Sequence, residues 1–175
     1  TDSTADPRAH AESANLDANA VCIPVDVASG QANAGPDSPS DSYNQGLGQI
    51  DIPAVLDTGA LTGTGQANWP GDLSCVPDGQ PIAQSTTTLA NASLGLSLLG
   101  VGLNILELGT VETSGNTTLS GGDVVSTASG NIASLSLVNG LVGVEVLENP
   151  TLTATSDGTT GSISANDYRI AVTIA

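Results

Sequence analysis

Few side chains in this sequence can carry chemistry. Hydrolytic and transfer reactions at neutral pH need a base, a tuned nucleophile, a metal or a cofactor site. His10 is the only histidine, and it lies in the polar stretch Thr1 to Glu12, where a catalytic group is hard to hold in place. No GxSxG, HExxH, P-loop or Rossmann pattern occurs, and Gly46 to Gly48 lacks the strand-to-helix context of a phosphate cradle. Glu107 and Glu148 form the one carboxylate pair with positional logic, and two carboxylates flanking a glycosidic bond can hydrolyse it. The two are equivalent positions of a repeat, so their matching follows from duplication. With Tyr43, Trp69 and Tyr168 the only aromatic residues, no sugar-stacking platform can surround them. The expectation is therefore a protein that is not an enzyme and has no resident cofactor.

Binding chemistry is thin as well. Asp37 and Asp41, Asp72 and Asp78, and Asp157 with Asp167 can offer hard oxygen ligands to a weak surface calcium site, solvated turn aspartates being the plainer reading. Neither an EF-hand loop nor a GGxGxD nonapeptide is present. Cys22 and Cys75 lack CxxC spacing, and no histidine is near enough in sequence to complete a zinc site. A disulfide between them is the simplest account, with two separate buried thiols as the alternative. A bridge closing a loop of that length contributes ~4 kcal/mol in the chain-entropy model, and it implies an oxidising compartment. Asn91-Ala92-Ser93 and Asn116-Thr117-Thr118 are glycosylation sequons, which makes Asn91 and Asn116 candidate glycan acceptors.

Composition narrows the function classes further. The chain carries 18 acidic residues against Arg8 and Arg169, with no lysine, for a net charge of -16. Such a surface cannot neutralise phosphate, so nucleic acid and anionic membrane are excluded as expected partners. No run of about 20 apolar residues occurs, so membrane insertion is not expected either. The polar opening, without an apolar signal region, reads as a mature N-terminus left after export. About a quarter of the residues are Leu, Ile or Val, enough for an aliphatic core, while Gly, Ser, Thr and Asn disfavour helix and favour short strands joined by turns.

The elements follow from alternation and repeats. Asn15 to Val27 alternates and predicts a first strand, after a polar N-terminal extension over residues 1–14. Polar loops are expected over residues 28–45 and 66–81. Ala92 to Gly115 aligns without gaps on Ala133 to Ser156, and a shorter copy covers Val55 to Gly65, placing internal repeats near 50–66, 92–116 and 133–157 of a single domain over 15–175. Each copy holds a strand, a break at Gly59, Gly109 or Pro150, and a second strand such as Thr151 to Thr155. The break reads as a bulge or a sheet-switching corner, because proline has no place inside a central ladder. Turns are expected at Ser114-Gly115-Asn116, Gly121-Gly122-Asp123, Val138-Asn139-Gly140 and Asp157-Gly158. The predicted fold is all-β, an antiparallel β-sandwich or barrel of strand-kink-strand units, with a short β-solenoid as the rival. The chain ends on an amphipathic strand in which Tyr168, Ile170, Val172 and Ile174 face one way.

The stretch Thr86 to Thr160, with VLENPTLTATSDGTTG, ILELGTVETSGNTTLSGG and a Val-Gly-aliphatic run, resembles the repeats of secreted actinobacterial surface proteins of the choice-of-anchor group. The likeness spans less than half of the chain and implies an exported, surface-associated role; it carries no functional residues over. Without lysine, sortase-linked or isopeptide-stapled schemes are excluded, and no LPxTG-like signal occurs. The expectation is a secreted, cell-surface structural protein whose partner is itself, a filament or layer subunit held non-covalently by pairing of the strand Tyr168 to Ala175 with another copy. The alternative is a monomeric adhesin or ligand-binding module with Trp69 as its contact.

Overall fold

The structure, a computed structural model, describes residues 9–12, 17–20, 23–26, 30–53, 55–71, 76–98 and 101–175. Every regular element among them is a strand. Near the N-terminus, β1 (Ala9–Glu12), β2 (Asp17–Ala20), β3 (Ile23–Asp26) and β4 (Gln31–Ala34) form two antiparallel pairs, β1 with β4 and β2 with β3. Within Asn15 to Val27, expected as one strand, β2 and β3 are two separate strands paired antiparallel, with Ala20 opposite Ile23. A period of two is the same for one long strand as for two short ones, and Pro24 is tolerated because both strands of a two-stranded ribbon are edges.

From Ser40 onward the chain runs as seven long strands, each kinked once. The first three are β5 (Ser40–Leu47) into β6 (Ile50–Ile52), β7 (Leu56–Thr58) into β8 (Leu61–Asn68), and β9 (Pro81–Leu89) into β10 (Ala92–Leu98). The next two are β11 (Val101–Leu108) into β12 (Val111–Ser120), and β13 (Asp123–Ile132) into β14 (Leu135–Leu137). The last two are β15 (Val142–Glu148) into β16 (Thr151–Ser156), and β17 (Gly161–Ala165) into β18 (Arg169–Ile174).

Each kinked strand pairs with the next through both of its halves. One seven-stranded sheet therefore has the order β17-β16-β13-β12-β9-β8-β5 and the other β18-β15-β14-β11-β10-β7-β6, all antiparallel. The two layers of this open sandwich are halves of one meander folded along a crease. Its outer strands do not meet, so it is not a barrel, and the hairpin connections and antiparallel ladders set aside the solenoid.

The crease passes through Gly59, Gly109 and Pro150, the breaks expected from the repeats. Backbone bonds stitch it: Gly59 N–H donates to the Asn91 carbonyl (2.8 Å), Ala90 N–H to Ala60 (3.0 Å), Gly109 N–H to Ser134 (2.8 Å) and Ala133 N–H to Thr110 (2.8 Å). The strands pack so closely there that a Cβ on Gly59 would run into the Asn91 side chain and one on Gly109 into the Ser134 hydroxyl. Three of the expected turns are present, between β12 and β13 (Gly121 and Gly122, φ 62° and 95°), between β14 and β15, and between β16 and β17. Ser114-Gly115-Asn116, expected as a turn, lies in the middle of β12, where Gly115 pairs with Ala128 on one side and Ser85 on the other. Long ladders on both flanks, ten pairs with β13 and eight with β9, override the local turn preference.

The described core is built of small side chains. Ala9 and Ala11 of β1 and Ala32 and Ala34 of β4 pack with Ala67, Ile82, Ala83 and Leu119 of the first sheet. Alternate residues of β4 are buried, so the β1–β4 pair lays one face on that sheet. No large side chain among the described residues is fully buried.

Candidate functional site

The meander has two outer edges among the described residues, β5–β6 and β17–β18. On the C-terminal edge, all five residues of β17 are exposed, and Ile163 is 74% exposed. Asn166 N–H donates to the Thr151 carbonyl (3.1 Å) and Ala175 N–H to that of Leu141 (2.9 Å). Because N–H groups alternate sides along an antiparallel strand, those of Ile163, Val172 and Ile174 point away from the sheet. Edges of this kind are usually guarded by Lys, Pro or bulges. Neither Pro nor Lys occurs on β17 or β18, and their one charge, Arg169, pairs inward with Glu148 of β15.

The expected terminal strand is therefore β18, paired on its inner side with β15 in its own chain and open on its outer side. Its side chains also extend a two-row apolar face. Cross-strand register aligns Ala92, Leu108, Leu135, Val144 and Val172 in one row and Leu56, Leu94, Leu106, Leu137, Val142 and Ile174 in the next. The opposite face carries Asp57, Ser93, Glu107, Ser136, Gly143 and Thr173 in register. Acids and aliphatics are thus sorted to opposite sides of one sheet. Leu and Val pairs spaced by two residues were the sequence signal for this face; without the register, nothing in the sequence placed them in rows.

Compared with known protein families, curated proteins and solved structures, the chain has no significant match.

The other residues singled out from the sequence lie apart from this edge. The row through Glu107 crosses β15 at Gly143, five residues or roughly 17 Å along the strand from Glu148. Glu107 accepts hydrogen bonds from Asn104 Nδ2 (2.6 Å) and Ser136 Oγ (3.2 Å). The pair therefore does not converge on a common reacting atom. His10 lies in β1 opposite Asn33. Asp41 accepts from the Asn33 and Ser42 N–H groups, Asp78 from that of Gly121, and Asp157 from those of Thr159 and Thr160. Each of these carboxylates is engaged by backbone N–H groups, those of Asp157 within its own turn and that of Asp78 from the distant β12–β13 turn, and no three metal-ligating side chains gather among the described residues. Asp37 and Asp167 are exposed. Cys22, Cys75 and Asp72 lie outside the described residues.

Trp69 is half-buried against the alanine core, and its backbone N–H donates to the Pro39 carbonyl (2.7 Å). Asn91 sits exposed on the crease and Asn116 exposed in the middle of β12. A shallow groove beside β1, lined by Ala11, Ala83, Gly115, Ala128, Leu152 and Ala154, contains no titratable group. A second groove beyond it contains Tyr168 alone of that kind.

Proposed function

We propose that this protein is a secreted structural subunit of a cell-surface filament or layer, built non-covalently from copies of itself by pairing of its C-terminal edge. The observation that carries this reading is the open β17–β18 edge, which offers outward backbone groups with no blocking charge, proline or bulge of its own. The resemblance of Thr86 to Thr160 to exported surface repeats points the same way.

Negative-stain electron microscopy of the wild type and of Ile163→Pro and Val172→Pro, with and without millimolar calcium, tests it. Both prolines remove an outward N–H and leave the internal ladder intact. Regular filaments or sheets from the wild type and dispersed particles from both variants are expected. Dispersed wild-type particles under every condition, or variants that assemble as well as the wild type, overturn the proposal.

A further inference from the structure

The C-terminal edge is kinked, and the kink restricts what can pair along its whole length. Each sheet has seven strands that alternate in direction, so its two outermost strands run the same way, β5 with β17 and β6 with β18. A second copy added head to tail would lay β5–β6 parallel to β17–β18, in a protein whose ladders are all antiparallel among the described residues. Turning that copy over restores antiparallel strands but reverses its crease, and only one half of the edge can then be followed. The β5–β6 edge also carries Asp41 and Asp51, whereas β17 and β18 hold no acidic residue.

Self-pairing meets neither obstacle. A two-fold axis through the crease, along the bisector of the two layers, reverses strand direction and keeps the kink. It sets β17 of each copy beside β18 of the other.

The register fits this symmetry. Asn166 bonds to Thr151 and Ala175 to Leu141 on the inner side of the edge. Alternation from those bonds turns the backbone groups of Gly161, Ile163 and Ala165 on β17 outward, and those of Ile170, Val172 and Ile174 on β18. The two sets are equal in number and spacing. The two-fold therefore matches Ile163 with Val172 of the other copy, Gly161 with Ile174 and Ala165 with Ile170, outward group against outward group on both halves at once. Opposed residues of an antiparallel pair share a face, so Ile163, 74% exposed, and Val172, 57% exposed, become cross-strand neighbours.

We infer that the C-terminal edge pairs with the same edge of a second copy, β17 on β18 in both directions, in an isologous two-fold dimer. The inference rests on the edge-pairing reading above and adds the partner surface and the symmetry. Growth beyond two copies then falls to the β5–β6 edge.

Oxidative cross-linking of the double variant Ile163→Cys/Val172→Cys tests it, read by non-reducing denaturing electrophoresis and peptide mapping. Opposed Cα atoms of a hydrogen-bonded antiparallel pair are about 5.5 Å apart, inside the roughly 4.4–6.8 Å that a disulfide spans. Within one chain the two positions lie in different sheets. The double variant is expected to run mostly as a covalent dimer that yields a peptide joining positions 163 and 172, and neither single variant should yield that peptide. Electron microscopy of the wild type separates the two readings. Filaments without the 163–172 link, or covalent chains longer than two built on that link, overturn the inference and leave edge pairing standing. Absence of both filaments and link overturns both.

Discussion

Gly109 and Ser134 face each other across the crease: the Gly109 N–H donates to the Ser134 carbonyl at 2.8 Å, and the Ser134 hydroxyl occupies the space a Cβ on residue 109 would need. The meander can fold there because one of its strands lacks a side chain at the point of closest approach. Gly109→Ala forces the strands apart and should destabilise the protein by about 1–3 kcal/mol. Gly102→Ala, on the same kinked strand with nothing within 4 Å of the added methyl, is expected to stay within about 0.5 kcal/mol of the wild type. Urea denaturation of the two variants checks the contrast, and equal losses would show that the crease is not the cause.

Val138 lies in the left-handed region, at φ 53°, followed by Asn139 at 55° and Gly140 at 81°. A β-branched residue is strained there, whereas Asn and Gly are not. Val138 is 45% exposed, so little packing is lost on its replacement. Val138→Asn should therefore raise stability by about 1 kcal/mol, read as a higher urea midpoint at an unchanged slope.

The same loop shows how far the sequence was legible. Val138-Asn139-Gly140 reads correctly as a turn because Asn and Gly tolerate positive φ, and Gly59, Gly109 and Pro150 read correctly as breaks because each copy of the repeat stops there. Ser114-Gly115-Asn116 has equally turn-like residues but lies inside β12, since its conformation is set by β9 and β13 on either side. The alanine core escaped notice for another reason. Ala9-x-Ala11 and Ala32-x-Ala34 alternate as strands do, but alanine is too weakly apolar to stand out before the β1–β4 pair is seen against the sheet. The terminal strand is legible from its own alternation; its open edge and the rows it joins exist only in the pairing order.

Asp157 makes stability depend on pH in a calculable direction. Hydrogen bonds from the Thr160 N–H (2.6 Å), the Thr159 N–H (2.7 Å) and the Thr160 hydroxyl (3.0 Å) favour the carboxylate and hold its pKa below the usual 3.8. A group whose pKa is lower in the folded state stabilises the protein above its unfolded value and loses that contribution as pH falls through the folded one. Asp157→Asn should accordingly be less stable than the wild type at neutral pH, with the difference shrinking once pH drops below 3.8. A difference that stays constant from pH 7 to pH 2 would mean that the asparagine disturbs the turn sterically and that ionisation contributes nothing.

Salt separates the forces that hold copies together. Arg8 and Arg169 are the only cations against 18 acids, and Arg169 is already bonded to Glu148 within its own sheet. Complementary ion pairs between copies are therefore scarce, and long-range electrostatics opposes association. At about 0.01 M salt the screening length is roughly 30 Å, comparable to the molecule, and at 1 M it is about 3 Å. Backbone pairing at the β17–β18 edge and apolar contact at Val172 and Ile174 are insensitive to that screening or strengthened by it. Assembly measured by light scattering should consequently rise as sodium chloride increases from 0.01 M to 1 M, and calcium should act at lower concentration by neutralising the acidic faces. Scattering that falls with salt would instead mean that Arg169 or Arg8 of one copy pairs with a carboxylate of the next, and would move the contact away from the neutral edge.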